Sequence, residues 1–210
     1  MAKQKEGVYE KILHYAKQEF LTHGYKDASL RTIAELSHTS TSSIYTRFGD
    51  KLGLFRAIVS PVTEYLLNWF QEKHESFRTL PADIQAKEAY SHGERYFSDF
   101  IDYVYDHFEE FELLLCGSDG TEYADFISQL VELDVKYNIS FADDTSSNAV
   151  SAGRLTPELA HMLSNAFYCG AFEVVLHRMT RSQAHAYTEH MRKFFIHGWK
   201  YIYEGESENV

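Results

Sequence analysis

The stretch SHTSTSSIYTRF, Ser37 to Phe48, decides how the rest of the chain is read. Six of its first seven residues carry a hydroxyl, a composition that usually marks a loop, because Ser and Thr side chains compete with the backbone for its own hydrogen bonds. Ile44, Tyr45 and Phe48 then follow at the spacing of a helix face. The stretch therefore predicts a short helix whose leading surface is almost entirely Ser and Thr.

Working outward, the neighbouring signals fit that helix into a compact group. Ser29 is a good N-cap for a short helix over Leu30 to Leu36, with Ile33 and Ala34 inward, and Ser37 to Thr39 form a turn. Ser40 caps the helix that runs to about Arg47, and Asp50 caps a long one from Lys51 into the region of Trp69 and Phe70. Upstream, Val8, Ile12, Ala16 and Phe20, with Leu13 and Leu21 beside them, make the inner stripe of a first helix that Gly24 ends. Two short helices joined by a tight turn, the second nearly bare of large outward residues, fit a helix-turn-helix whose second helix enters a major groove about 12 Å wide. Thr41, Ser42 and Ser43 are small enough to approach base edges there, whereas Tyr45, Arg47 and Lys51 have the reach for phosphate oxygens. Arg31, on the preceding helix, completes the expected DNA-contacting set.

Residues 12 to 54 resemble the DNA-binding domain of the TetR family of transcriptional regulators. The resemblance rests on Ile12, Ala16, Phe20, Gly24-Tyr25, Ser29, Ile33-Ala34, Ser40, Ile44-Tyr45, Phe48, Lys51 and Leu54. It implies an all-α homodimer with a three-helix head, a long fourth helix, a helical ligand-binding body and two C-terminal helices that pair across a two-fold axis. The expected division is a head at 1–50, a ligand-binding and dimerisation body at 51–205 and an acidic tail at 206–210. The expected function is a regulator, in repressor form, that binds a palindromic double-stranded DNA operator and is released by a small apolar effector. The chain departs from the family at the turn, where Ser37, His38 and Thr39 replace Ala-Gly-Val, so His38 must take the left-handed backbone that the glycine would accept. It departs again within the recognition helix, where Ser42 replaces a glycine and Arg47 a histidine.

Charge points the same way. Up to Val59, nine Lys and Arg face six Asp and Glu, a balance of +3; the remainder carries eleven against twenty-five, or -14. A mildly basic head on an acidic body suits a protein that presents only its head to phosphates. No long apolar run and no signal-peptide pattern stand out, so the expected compartment is the cytoplasm, with no membrane partner. Cys116 and Cys169 belong to no CxxC or Cys/His cluster and are expected as small core residues rather than metal ligands or a disulfide.

Beyond the head, apolar residues recur at three and four. Pro81 opens an aromatic stretch from Ile84 to Cys116, a further helix covers about Glu122 to Phe141, and ADDTSSNAVSAG reads as a flexible segment. Thr156-Pro157 opens a helix to about Met179, and Ser182 opens the last, which ends near Gly205. Leu163, Ala166, Gly170 and Val174 on one of these helices, with Met191, Phe195 and Ile202 on the other, are the expected dimer interface; the alternative is that both stripes pack on their own subunit. Tyr96, Phe100, Tyr103, Tyr123, Phe126 and Tyr137 are expected to line an apolar cavity, a reading that leans on the family resemblance because aromatic stripes are more often plain core.

The competing readings are a helical interaction module without a ligand, and a small enzyme. No HExxH, GxSxG or phosphate-cradling glycine loop is present, and His185, His190 and His197 read as surface or interface residues, so neither catalysis, cofactor nor metal is expected.

Overall fold

A computed structural model of the chain describes residues 2–205, with side chains for all but 2–6, 92, 94 and 95. The acidic tail expected at 206–210, and the side chains of Lys3 and Lys5, lie outside the described residues. Every regular element among the described residues is helical: α1 Ala2–Asp27, α2 Leu30–Leu36, α3 Thr41–Phe48, α4 Lys51–Arg78, α5 Ala82–Asp106, α6 Phe108–Cys116, α7 Phe126–Asp144, α8 Pro157–Leu176 and α9 Arg181–Glu204. They form two compact units, Met1–Tyr65 with His107–Phe126, and Leu66–Asp106 with Ile127–Val210. The first unit thus takes in the opening turns of α4 and all of α6, which the expected division at residue 50 assigned to the body.

In the first unit α1 packs on α2 and α6, and α2 on α3. Its core is Ile12, Ala16, Phe20, Ile33, Ala34, Ile44, Leu54 and Phe55, all essentially inaccessible to water. Phe20 meets Phe55 edge to face at 5.2 Å. The caps are those the sequence marks: Thr32 N donates to Ser29 Oγ, Ser43 N to Ser40 Oγ at 3.1 Å and Gly53 N to Asp50 Oδ1 at 2.7 Å. Gly24 breaks the helical backbone with φ 70° and ψ 172°, although one more turn follows it before α1 ends. Gly53 is needed for a different reason: a Cβ there would lie 1.9 Å from the Phe48 carbonyl oxygen, so α4 can begin against the end of α3 only without a side chain.

Three helices close on a left-handed residue that is not glycine. His38, Ser146 and Arg178 all have left-handed φ, 54°, 55° and 46°. Each is the C′ residue of a Schellman motif, as the paired bonds show: His38 N to Glu35 O with Thr39 N to Ala34 O, Ser146 N to Asp143 O with Ser147 N to Ala142 O, and Arg178 N to Val175 O with Met179 N to Val174 O.

In the second unit α9 packs on α5 and α8. A small core joins Ala142, Ala149, Leu155, Ala160 and Ile202. Several sequence expectations change here. The stretch from Ile84 to Cys116 is broken at His107 into α5 and α6, and α9 is capped two residues earlier than Ser182, because Thr180 and Gln183 form a reciprocal capping box. The segment read as flexible is a series of bonded turns: Ala149 is fully buried, Ser147 Oγ donates to Tyr203 O, and Arg154 donates from Nε to Ile202 O at 3.0 Å and from Nη2 to Asn148 Oδ1 and Tyr203 O. Its polar composition hid the fact that its hydrogen bonds go to the last turn of α9. Cys116 and Cys169 are both exposed rather than core, the first at the end of α6 and the second on the outer side of α8. By length and apolarity alone α8 could cross a membrane, but Ala160, Ser164, Tyr168, Ala171, Phe172, Val174 and Val175 are buried within its own unit, as befits a core helix.

Candidate DNA interface and cavity

The first candidate site is the outer face of α3. Ile44 anchors the helix in the core, and Phe48 is half-buried, stacked on Tyr9 at 5.2 Å. Thr41 and Ser42 are exposed and, among the described residues, their hydroxyls make no intramolecular hydrogen bond. Ser43 is half-buried and engaged: its N–H is capped by Ser40, and Arg47 Nη1 donates to its carbonyl at 3.2 Å and to its hydroxyl. Tyr45 is 52% exposed. Arg31 is held in an exposed pair with Glu35 at 2.9 Å.

Lys51 has a place the sequence did not reveal. Its ammonium donates to Lys26 O at 2.8 Å and Ala28 O at 2.9 Å and lies 5.1 Å from the centre of the Tyr25 ring. It closes the end of α1, and one of its three N–H groups remains for water or phosphate. The charge pattern of the head also looks different in three dimensions. Lys17 pairs with Glu109 and Glu110, Lys26 with Asp119, and Arg56 with Glu122. With residues 107–126 included, the compact unit holds nine Lys and Arg against thirteen Asp and Glu, a balance of -4. Lys11, Arg47 and Lys51 are the cations of the head that form no ion pair among the described side chains.

The second candidate site is a cavity of about 260 Å³ wholly inside the second unit. Of the residues expected to line it, Tyr96, Phe100 and Tyr137 do. Tyr103, Tyr123 and Phe126 do not: Tyr123 donates to Ser60 Oγ at 3.1 Å and Phe126 packs on Phe111, both in the other unit. Helical periodicity cannot tell which core an aromatic stripe enters. The lining residues that sequence reasoning missed include Trp69, Phe97, Phe167, Trp199, Gln85 and Asp134. Asp134 is half-buried as a whole residue, but its carboxylate accepts bonds from Ser164 Oγ at 2.5 Å, Asn138 Nδ2 at 2.9 Å and Tyr168 OH at 3.4 Å. Loss of water around it raises its pKa to about 6, against the lowering effect of those three bonds. Burial, helped by the bond to Glu75 at 3.1 Å, pushes the Tyr137 phenol up to about 12.

The residues expected at the dimer interface separate into two groups. Val174 is completely buried and Ile202 sits in the small core, so neither offers surface to a partner; Phe195 lines the cavity, and Gly170 approaches Met191 of its own subunit, whose sulfur would lie 2.9 Å from an added Cβ. Leu163 is half-buried and Ala166 exposed. Among the described residues the most exposed large apolar side chains are Phe194 at 75% and Met162 at 66%, on α9 and α8, with Tyr187 and Tyr201 on the same helix as Phe194. Among the described residues no group of three or more His, Cys, Asp or Glu could hold a metal. His185 pairs with Asp102 at 3.0 Å, and His190 and His197 are exposed.

The paired short helices, the bonded turn at His38 and the open hydroxyl face define a helix-turn-helix protein. Residues 12–58 match the family described as bacterial regulatory proteins, tetR family, so this segment is a DNA-binding domain of that type. The fold of the chain is shared with NalD, the secondary repressor of the MexAB-OprM multidrug efflux pump in Pseudomonas aeruginosa, at 18% identity, with 90% of this chain and 96% of that one covered and a TM-score of 0.52. FadR, a fatty acid degradation regulator from Bacillus halodurans, aligns over 95% of this chain and 100% of its own at 16% identity with a TM-score of 0.47. No curated protein matches the sequence.

Proposed function

We propose that the chain is a cytoplasmic transcriptional repressor that binds a palindromic operator as a homodimer and leaves it when a small apolar molecule occupies the cavity. The observation that carries this reading is the outer face of α3, where two exposed hydroxyl residues stand open beside an exposed Tyr45 and an Arg47 that bonds only to Ser43 and has no acidic partner among the described residues. Thr41 and Ser42 read base edges; Tyr45, Arg47 and the remaining N–H of Lys51 hold phosphates, with Arg31 beside them. Ser43 joins them once Arg47 leaves its hydroxyl for a phosphate oxygen. The apolar faces of α8 and α9 around Met162, Ala166, Tyr187, Phe194 and Tyr201 form the dimer contact. A ligand that binds better in the DNA-incompetent state weakens operator binding by the factor that DNA weakens ligand binding.

A gel shift with duplex DNA flanking the chain's own gene, run against unrelated competitor DNA at several salt concentrations, tests the reading. A specific, salt-sensitive complex is expected, and Arg47→Ala should lower the salt slope by about one unit, whereas Thr41→Ala should change base preference. No specific complex with any flanking DNA would overturn it.

A further inference from the structure

The polar groups on the cavity wall are unequally satisfied. Gln85 is 3% exposed, and its Nε2 donates to Arg78 O at 3.1 Å and Leu80 O at 2.8 Å, which fixes the amide so that Oε1 is the acceptor left over. That oxygen is buried without a hydrogen-bond partner, a condition that ordinarily calls for a donor. On α7, Asp134 Oδ2 takes two bonds while Oδ1 takes only the 3.4 Å bond from Tyr168, and among the described residues no cation pairs with this carboxylate. The wall cations, in contrast, are occupied. Arg78 is paired with Asp144 at 2.8 Å, Arg192 is buried and engaged, and the Lys73 ammonium lies over the rings of Tyr96 at 5.2 Å and Trp69 at 6.0 Å.

We infer that the cavity selects a compact aromatic or alicyclic amine in its ammonium form, whose apolar body lies among the rings and whose N–H groups serve the open acceptors of Gln85 and Asp134. This rests on the reading of the cavity as the effector site and deepens it. The chemistry follows from what the wall lacks: its open acceptors need donors, and its one carboxylate with no cation needs a positive charge. Aromatic faces add attraction for an ammonium, as the position of Lys73 over two of them already illustrates. The upward shift of the Asp134 pKa agrees, because its largest cause is the loss of water around the carboxylate, which the three hydrogen bonds from Ser164, Tyr168 and Asn138 only partly offset. Lys73 opposes the same ligand by like-charge repulsion and would favour an anion, so it supplies a control of opposite sign.

Both tryptophans of the chain, Trp69 and Trp199, line the cavity, so intrinsic fluorescence reports its occupancy directly. The experiment titrates the full chain with three probes of one shape and different head groups: 4-phenylbutylamine, 4-phenylbutanol and 4-phenylbutyrate at pH 7.5. The amine is expected to bind at least about tenfold more tightly than either other probe. Asp134→Asn should remove its advantage over the alcohol, and Lys73→Met should strengthen the amine while weakening the butyrate. Gln85→Met should weaken both amine and alcohol, with thermal unfolding of the same variant confirming that it folds. Tightest binding of the butyrate, or an amine advantage that survives Asp134→Asn, overturns the assignment of ligand class while leaving the effector cavity standing. Absence of any tryptophan response to all three probes overturns the effector reading itself, and the class with it.

Discussion

His38 closes α2 with a left-handed backbone, and a side chain in that region costs roughly 1–2 kcal/mol that glycine does not incur. Glycine loses more freedom on folding, roughly 0.5–1 kcal/mol, so the two effects partly cancel. His38→Gly is therefore expected to stabilise the protein by up to about 1 kcal/mol and raise the unfolding midpoint by about 2–4 °C, whereas His38→Val should lower it. Scanning calorimetry of the three proteins decides. Asp134 makes a second prediction at this scale, of opposite character. Its folded pKa of about 6 lies above the ordinary 3.8, so between these values the folded state holds more protons than the unfolded one. The stabilising effect of that proton is complete below about pH 4 and is lost as pH rises through 6. Asp134→Asn should thus be more stable than the parent at pH 8 by about 2 kcal/mol, with the advantage shrinking toward pH 4 in denaturant titrations.

At the scale of elements, the helices of the head were legible because each start carried its own chemical mark. Ser29, Ser40 and Asp50 each cap the helix the sequence assigns to them, and Ile12, Ala16, Phe20, Ile33 and Ile44 fall on the core as their spacing requires. What spacing cannot carry is which helix a face meets. Gly170 and Val174 share a small-residue stripe that suits a partner subunit or a neighbour in the same chain, and the structure turns both toward their own unit. The cavity was half legible for the same reason: Tyr96, Phe100 and Tyr137 reach it, but Gln85 and Asp134 are single polar residues on apolar helices and leave no periodic trace. Gly53 is a similar case, a glycine early in a helix that looks tolerant of substitution. Because its missing Cβ makes room for the Phe48 carbonyl, Gly53→Ala should displace α4 from α3, cost about 2 kcal/mol or more, and weaken DNA binding although residue 53 is not among the expected DNA contacts. Unfolding and gel-shift measurements on that one variant test both halves.

For the whole molecule, the prediction of most weight is assembly. An exposed Phe194 with Met162, Tyr187 and Tyr201 leaves apolar surface on α8 and α9 that a monomer would hold in water. Phe194→Asp is expected to give a folded species of one chain, 24.4 kDa, by light scattering, where the parent gives twice that mass, and to lose operator binding with it. A parent that is already monomeric at micromolar concentration would sink the dimer. The charge of the whole also differs from what a linear split of the sequence suggests. Residues 107–126 bring six acids to the head and neutralise Lys17, Lys26 and Arg56, so attraction to DNA must come from the local distribution around α3 rather than from net charge.

The bonded turns before α8 have a consequence for digestion. Arg154 is the sole trypsin site between Lys136 and Arg178, in the most linker-like segment of the chain, and a protease must draw its guanidinium out into an extended backbone to cut there. That guanidinium is held by the carbonyls of Ile202 and Tyr203 and by Asn148, so the peptide bond after Arg154 is exposed to cleavage only when the end of α9 lets go. Limited trypsinolysis should leave this bond intact in the native protein, and Asn148→Ala, which frees one of the three holds, should make it the site where the cut rate rises.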